Sequence, residues 1–259
     1  MGLKHIIVDR AERVTTITLN RPERLNAINP DMHDELEAAF NAFAADPDQF
    51  VCVVTGAGRG FCAGSDLKAA SEGDYRAYPA HGYAGLIERF DCPKPIVAAV
   101  NGLALGGGFE VALACDVIFA AESARFGLPE PLVGAMALGG GVHRLARQIG
   151  IKQAMGMMLS ARQVDAAEGL RLGFVTEVVP DADLGAATQR FCEAVLKCSP
   201  MSIRATKEAA YRGLDEPSLD AAIANQAGYP AFAALRASED AREGPLAFAQ
   251  KRAPVWQGR

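Results

Sequence analysis

Residues 51–64 read VCVVTGAGRGFCAG, and residues 96–110 read IVAAVNGLALGGGFE. Each is a short apolar run of strand character, then Thr-Gly or Asn-Gly, then a glycine-rich turn. A chain that repeats such a unit is constrained to a layered, partly repetitive core. Glycine-rich turns after strands let backbone N–H groups approach a ligand, because no Cβ stands in the way. Where the turn feeds a helix, the helix N-terminus adds positive dipole character. Such donors suit a phosphate or a developing oxyanion.

The rest of the chain supports strands alternating with helices, an α/β arrangement. VTTITL (14–19), FVCVVTG (50–56), PIVAAVNG (95–102), DVIFAA (116–121) and FVTEVV (174–179) read as strands. Asn29 and Pro30 open a helix whose apolar stripe is Met32, Leu36, Phe40 and Phe43. Residues 142–161 and 183–199 carry helical patterns. From about residue 200 the texture turns Ala-rich and helical without strands. The expected division is a core over 1–199 and a packed helical region over 200–259.

The net charge of −5 argues against non-specific nucleic-acid binding but permits a local basic pocket. Six cysteines without a CxxC pair, and a charged start without a secretory apolar region, predict reduced thiols in a cytoplasmic protein. Ile6 stands where myristoylation would want Ser or Thr, and no apolar run predicts a membrane span. His5, His33, His81 and His143 lack metal-ligand spacing, so no metal is expected.

TGAGRGF (55–61) superficially resembles the nucleotide turn of short-chain dehydrogenases. It follows the second strand rather than the first, its third glycine is misplaced, and no tyrosine has a lysine four residues later. The second turn leads directly to Glu110, and RFGLPEPLVGAMALGGG (125–141) sets Glu130 between two prolines. A lone Glu of either kind is ordinarily a surface or helix-end residue. Two of them beside donor-bearing turns suit acid/base work on an activated carbonyl compound.

These motifs, with RPERLNAI, GRGFCAGSDLK, GLPE, AAEGLRLGFVTEVV, SPMSIRATK and SEDAREGPLAFAQKR, run in order along the whole chain. Together they closely resemble the enoyl-CoA hydratase/isomerase (crotonase) superfamily, and the tail resembles its hydratase and carnitinyl-CoA dehydratase-like members. The resemblance implies a spiral of ββα units, with a C-terminal helical region used to form a homotrimer or dimer of trimers. It implies an oxyanion hole made by the backbone N–H groups of Ala63 and Gly107. Glu130 would deliver or remove the C2 proton, and Glu110 would polarise the water that attacks C3. Coenzyme A, part of the substrate rather than a cofactor, would lie along Ala63, Gly64, Ser65, Asp66, Leu67 and Lys68. Arg24 would meet phosphate, and Phe248 and Lys251 would reach the coenzyme of a neighbouring subunit. No metal or redox cofactor is implied.

The paired carboxylates favour hydration or dehydration of a 2-enoyl-CoA over the alternatives on the same scaffold, isomerisation, hydrolysis or a lyase reaction. They also argue against a non-catalytic RNA-binding role. Cys62, with no local histidine, reads as a small apolar filler. His143 reads as a surface residue, and Met155, Met157 and Met158 as core. Residues 135–141, AMALGGG, lack the proline that many hydratases carry there and would shape the acyl pocket. Residues 70–85, with Tyr75 and Tyr78, would border it.

Overall fold

The computed structural model describes residues 3–68 and 76–259. β1 (Ile6–Ala11) and β2 (Val14–Leu19) pair antiparallel. β2 alternates as its sequence predicts: Thr15, Ile17 and Leu19 face inward. The buried Thr15 hydroxyl is satisfied by donating to Gln49 Oε1 at 2.8 Å. β3 (Val51–Gly56), β5 (Ile96–Val100), β7 (Val117–Ala121) and β10 (Glu177–Val179) then add in parallel, giving the order β1-β2-β3-β5-β7-β10. A second sheet holds β4 (Gly60–Cys62), β6 (Leu103–Leu105), β8 (Arg125–Gly127) and β9 (Val164–Asp165) in that order.

From β3 to β8 the chain alternates between the sheets, one strand in each. The two echoing stretches of sequence are β3–β4 and β5–β6, and a third turn of the spiral is β7–β8. Every residue of β5 is buried, as a central parallel strand covered on both faces requires. On one face lies the main core. α1 (Pro30–Ala45) adds Met32, Leu36, Phe40 and Phe43 to it, and its N-terminus is capped by Asn29, which accepts from Met32 N at 3.0 Å. On the other, Val51, Val53, Val97 and Phe119 pack against Leu184, Ala187 and Cys192.

α2 (Gly107–Ala114) is buried along nearly all its length. The helical pattern over 142–161 is two helices, α3 (Gly141–Ile149) and α4 (Ile151–Ser160). Gly150 between them has φ +81°, a backbone state that ends a right-handed helix. The expected strand over 174–179 shrinks to β10, because Phe174 and Val175 turn down onto Gly169 of α5 (Ala166–Leu172). α6 (Leu184–Leu196) precedes four more helices: α7 (Pro200–Gly213), α8 (Leu219–Asn225), α9 (Pro230–Ala237) and α10 (Asp240–Ala249). The tail is pinned by the buried Asp240, which accepts from Ser199 Oγ at 2.9 Å and Gln257 N at 2.8 Å.

The thiols of the five buried cysteines and of the exposed Cys198 are all free. Met157 and Met158 are buried as expected, while Met155 lies at the surface edge. Among the described residues no helix is long and apolar enough to cross a membrane.

Candidate active site

Three neighbouring parallel strands, β4, β6 and β8, release their loops at the same end. Cys62 is in register with Ala104, and Leu105 with Gly127. Parallel neighbours stand about 4.8 Å apart, so loops leaving them stay adjacent. The first loop carries Ala63 to Lys68, the second Gly106 to Glu110, the third Glu130. The first two nearly touch. Gly64 has φ +93°, and a Cβ there would lie 2.8 Å from Leu105 O and 3.1 Å from Gly107 N.

α2 begins at Gly107, so the Gly107 N–H is among the first-turn donors without a helical acceptor. The Ala63 amide is differently placed from the expectation. It donates to Leu25 O at 2.9 Å and is therefore engaged inside the fold. The reason is the early loop. Leu25 and Asn26 adopt left-handed backbone, and the fully buried Asn26 locks them there. Its side-chain amide donates to Ala57 O at 2.9 Å and Gly60 O at 2.8 Å, and its Oδ1 accepts from Arg21 N at 2.8 Å. The Ser65 amide, two residues on, has no partner among the described residues. Ser65 forms a parallel bridge with Ile28 in which the flanking Gly64 O and Asp66 N make the hydrogen bonds. The N–H of the bridged residue then faces the opposite way, and it has no acceptor among the described residues.

Glu110, 3% exposed, sits in the first turn of α2, and its Oε1 accepts from Gly141 N at 2.8 Å where α3 begins. Burial pushes its carboxyl up to about 7, and the charge of Glu130 adds to that push. The amides of Gly141 and Gly139 and the more distant Arg144 oppose it. Glu130 is half-buried. Its Oε2 is enclosed without a hydrogen-bond partner, and its Oε1 lies 3.1 Å from where a Cβ of Gly106 would stand. Burial raises its carboxyl as well. Two carboxyl groups thus flank the Gly106–Gly107 turn, and the charge of Glu130 is felt at Glu110.

The raised carboxyl sets the sign of one stability effect. Between Glu110's ordinary value of 4.5 and about 7, the folded chain keeps a proton that the unfolded chain has released. Stability therefore falls as pH rises through that window and is level above it, by on the order of 2–3 kcal/mol. Glu110→Gln keeps an acceptor for Gly141 N and removes the buried charge. We expect its Tm to exceed the parent's at pH 8 and to match it near pH 4. An equal difference at both pH values in thermal denaturation would refute the effect.

Tyr83, 3% exposed, was not singled out by sequence reasoning, and its ring packs on Gly107. Tyr78 and the buried His33 stand edge-on beside it, with ring centroids 5.5 and 4.6 Å from that of Tyr83. Burial pushes His33 down to about 4, so it is neutral and accepts from Ala84 N at 2.9 Å. Tyr75 lies outside the described residues. The Cys62 thiol is pushed up to about 12 by burial, which suits a filler and not a nucleophile. His143 is exposed. Among the described residues no group of three or more His, Cys, Asp or Glu is placed to hold a metal.

The residues expected along coenzyme A divide. Arg24, Leu67 and Lys68 are exposed beside the Ser65 turn. Asp66 is engaged in the fold: its amide donates to Ile28 O at 2.9 Å and its carboxylate pairs with Arg21 at 2.9 Å. Phe248, 87% exposed, and Lys251 lie at the end of α10, and among the described residues no hydrogen bond or ion pair joins them to the site loops.

Residues 9–259 match the Enoyl-CoA hydratase/isomerase family. The chain belongs to that family. It is 40% identical over 251 residues to a carnitinyl-CoA dehydratase of Proteus mirabilis, covering 95% of each chain. The fold is the crotonase fold of solved relatives. Enoyl-CoA hydratase EchA1 from Mycobacterium marinum superposes with a TM-score of 0.92 at 36% identity, covering 98% of this chain and 99% of that one. Carnitinyl-CoA hydratase from Mycobacterium avium does so with a TM-score of 0.78 at 41% identity over all of both chains.

Proposed function

We propose that this chain catalyses the reversible addition of water across the 2,3 double bond of an enoyl-CoA thioester. The observation that carries the reading is a buried carboxyl, Glu110, and a half-buried one, Glu130, whose charge reaches it, beside a turn headed by the open Gly107 amide. The thioester oxygen accepts from Gly107 N–H and, in place of Ala63, from Ser65 N–H. Charge grows on that oxygen as the enolate forms, so these donors act chiefly on the transition state. Glu110, ionised, draws a proton from water as the oxygen attacks C3. Glu130, protonated, gives its proton to C2. The C2=C3 π bond and one O–H bond of water break, C3–O and C2–H bonds form, the proton gained by Glu110 balances the one lost by Glu130, and no electron is gained or lost overall.

The carnitinyl-CoA relatives favour an acyl chain bearing a quaternary ammonium at C4, a cation that the ionised Glu110 nearby would tolerate. The exposed Phe248 and Lys251 are free to reach coenzyme bound to a neighbouring copy in a homotrimer or dimer of trimers.

The test is the loss of enoyl-thioester absorbance with a panel of straight, branched, aromatic and crotonobetainyl-CoA substrates. Hydration is expected, with kcat/KM falling as pH drops below about 7 because Glu110 then protonates. Shifted double bonds without hydroxyacyl product would instead support isomerisation, and free coenzyme A would support hydrolysis.

A further inference from the structure

The hydroxyls of Ser65 and Tyr83 carry two protons and share one hydrogen bond. Ser65 Oγ donates to Tyr83 Oη at 3.2 Å. The Tyr83 proton has no acceptor among the described residues. Two hydroxyl protons and one hydrogen bond between them leave one proton of the pair without an acceptor among the described residues. Its position is fixed on three sides. The backbone beside it is held by Ala84 N donating to His33 Nδ1 at 2.9 Å. The ring stands edge-on to His33 at 4.6 Å. Its Cζ and Oη press on Gly107 so closely that a Cβ there would meet both, with Cε1 at 2.6 Å.

The free donor therefore lies against the residue whose amide heads α2, and next to the residue whose amide is the other open donor. We infer that Tyr83 is a catalytic residue, a third donor that gives its hydroxyl hydrogen bond to the thioester oxygen, with Ser65 Oγ orienting it. This rests on the hydration reading for the identity of that oxygen. Burial holds the phenol well above its ordinary pKa, so it keeps the proton it donates.

The experiment compares Tyr83→Phe, Ser65→Ala and the double variant with the parent. Kinetics with crotonyl-CoA are measured alongside binding of acetoacetyl-CoA, whose bound enolate fraction is read by absorbance. Binding of butyryl-CoA, which forms no comparable enolate, is the ground-state control. Tyr83→Phe is expected to lower kcat about a hundredfold with little change in KM, the scale of one lost oxyanion donor. The enolate fraction of bound acetoacetyl-CoA should fall with it, and butyryl-CoA affinity should hold. Ser65→Ala keeps its amide and should cost less, and the double variant should be no worse than Tyr83→Phe alone.

Parent-like kcat and enolate fraction in Tyr83→Phe overturn the inference. So does a full loss in Ser65→Ala with Tyr83→Phe silent, which places the donor on serine. The enolate readout needs no turnover, so it tests Tyr83 even if the parent hydrates nothing. A parent that neither hydrates enoyl-CoA nor binds acetoacetyl-CoA overturns both readings together.

Discussion

Glu130→Gln is expected to lower kcat for enoyl-CoA hydration by about 100- to 10,000-fold, the range for removing a positioned acid/base group. The enclosed Oε2 of Glu130 meets no donor among the described residues, so that oxygen has no structural partner to lose. Glutamine matches its shape but cannot deliver a proton. KM should change little, because the change removes an interaction of the transition state. Glu110→Gln should show a loss of similar size, since its amide oxygen still accepts from Gly141 N and the site geometry survives. Both groups act on one water and one enolate, so the double variant should fall well short of the product of the single losses. Steady-state kinetics with a circular dichroism control decides it. Full activity in both single variants ends the assignment of roles.

Gly108→Ala is expected to be among the most damaging small substitutions in the fold. A Cβ there would run into the Cys62 carbonyl oxygen, with the carbonyl carbon and the Cβ of Cys62 at 2.7 Å. These are atoms of β4, buried and in a sheet, and no flexible side chain can swing aside. α2 must shift away from β4. Overpacking of this kind costs about 1–3 kcal/mol or more, a drop of roughly 3–10 °C in Tm for a chain of this size. Activity should fall too, because α2 carries Gly107 and Glu110. Gly156→Ala in α4 is the matched control. A Cβ there meets nothing within 4 Å, so that variant should be neutral or slightly stabilising. Equal melting temperatures for the two variants would refute the packing argument.

Much of this arrangement was legible in the residues themselves. The β-branched VTTITL and the Asn29-Pro30 helix start marked β2 and α1, the echoing strand–turn units marked a layered, partly repetitive core, and the family resemblance supplied the spiral. Glu110 and Glu130 stood out as isolated carboxylates beside turns, and the fold sets both at one end of three adjacent strands. What escaped was decided by distant partners. Which amide of AGSD stays open depends on where Leu25 O falls, and that depends on left-handed backbone at Leu25 and Asn26. Asn26 looked like a polar loop residue, yet it is fully buried and ties three backbone groups together. Tyr83 lay in a segment with no periodicity to mark it. The single helical pattern over 142–161 hid its break because one glycine in a helix is tolerable unless φ is positive.

The three loops spring from consecutive rungs of one ladder, so the ladder acts as a ruler. The gap between the loops that carry the Ser65 and Gly107 amides is inherited from strand spacing. Acidic residues can be exchanged, moved or lost beside those loops without changing the strands that set that gap. A scaffold of this kind is free to change what it does to an acyl group without having to reinvent how it grasps one.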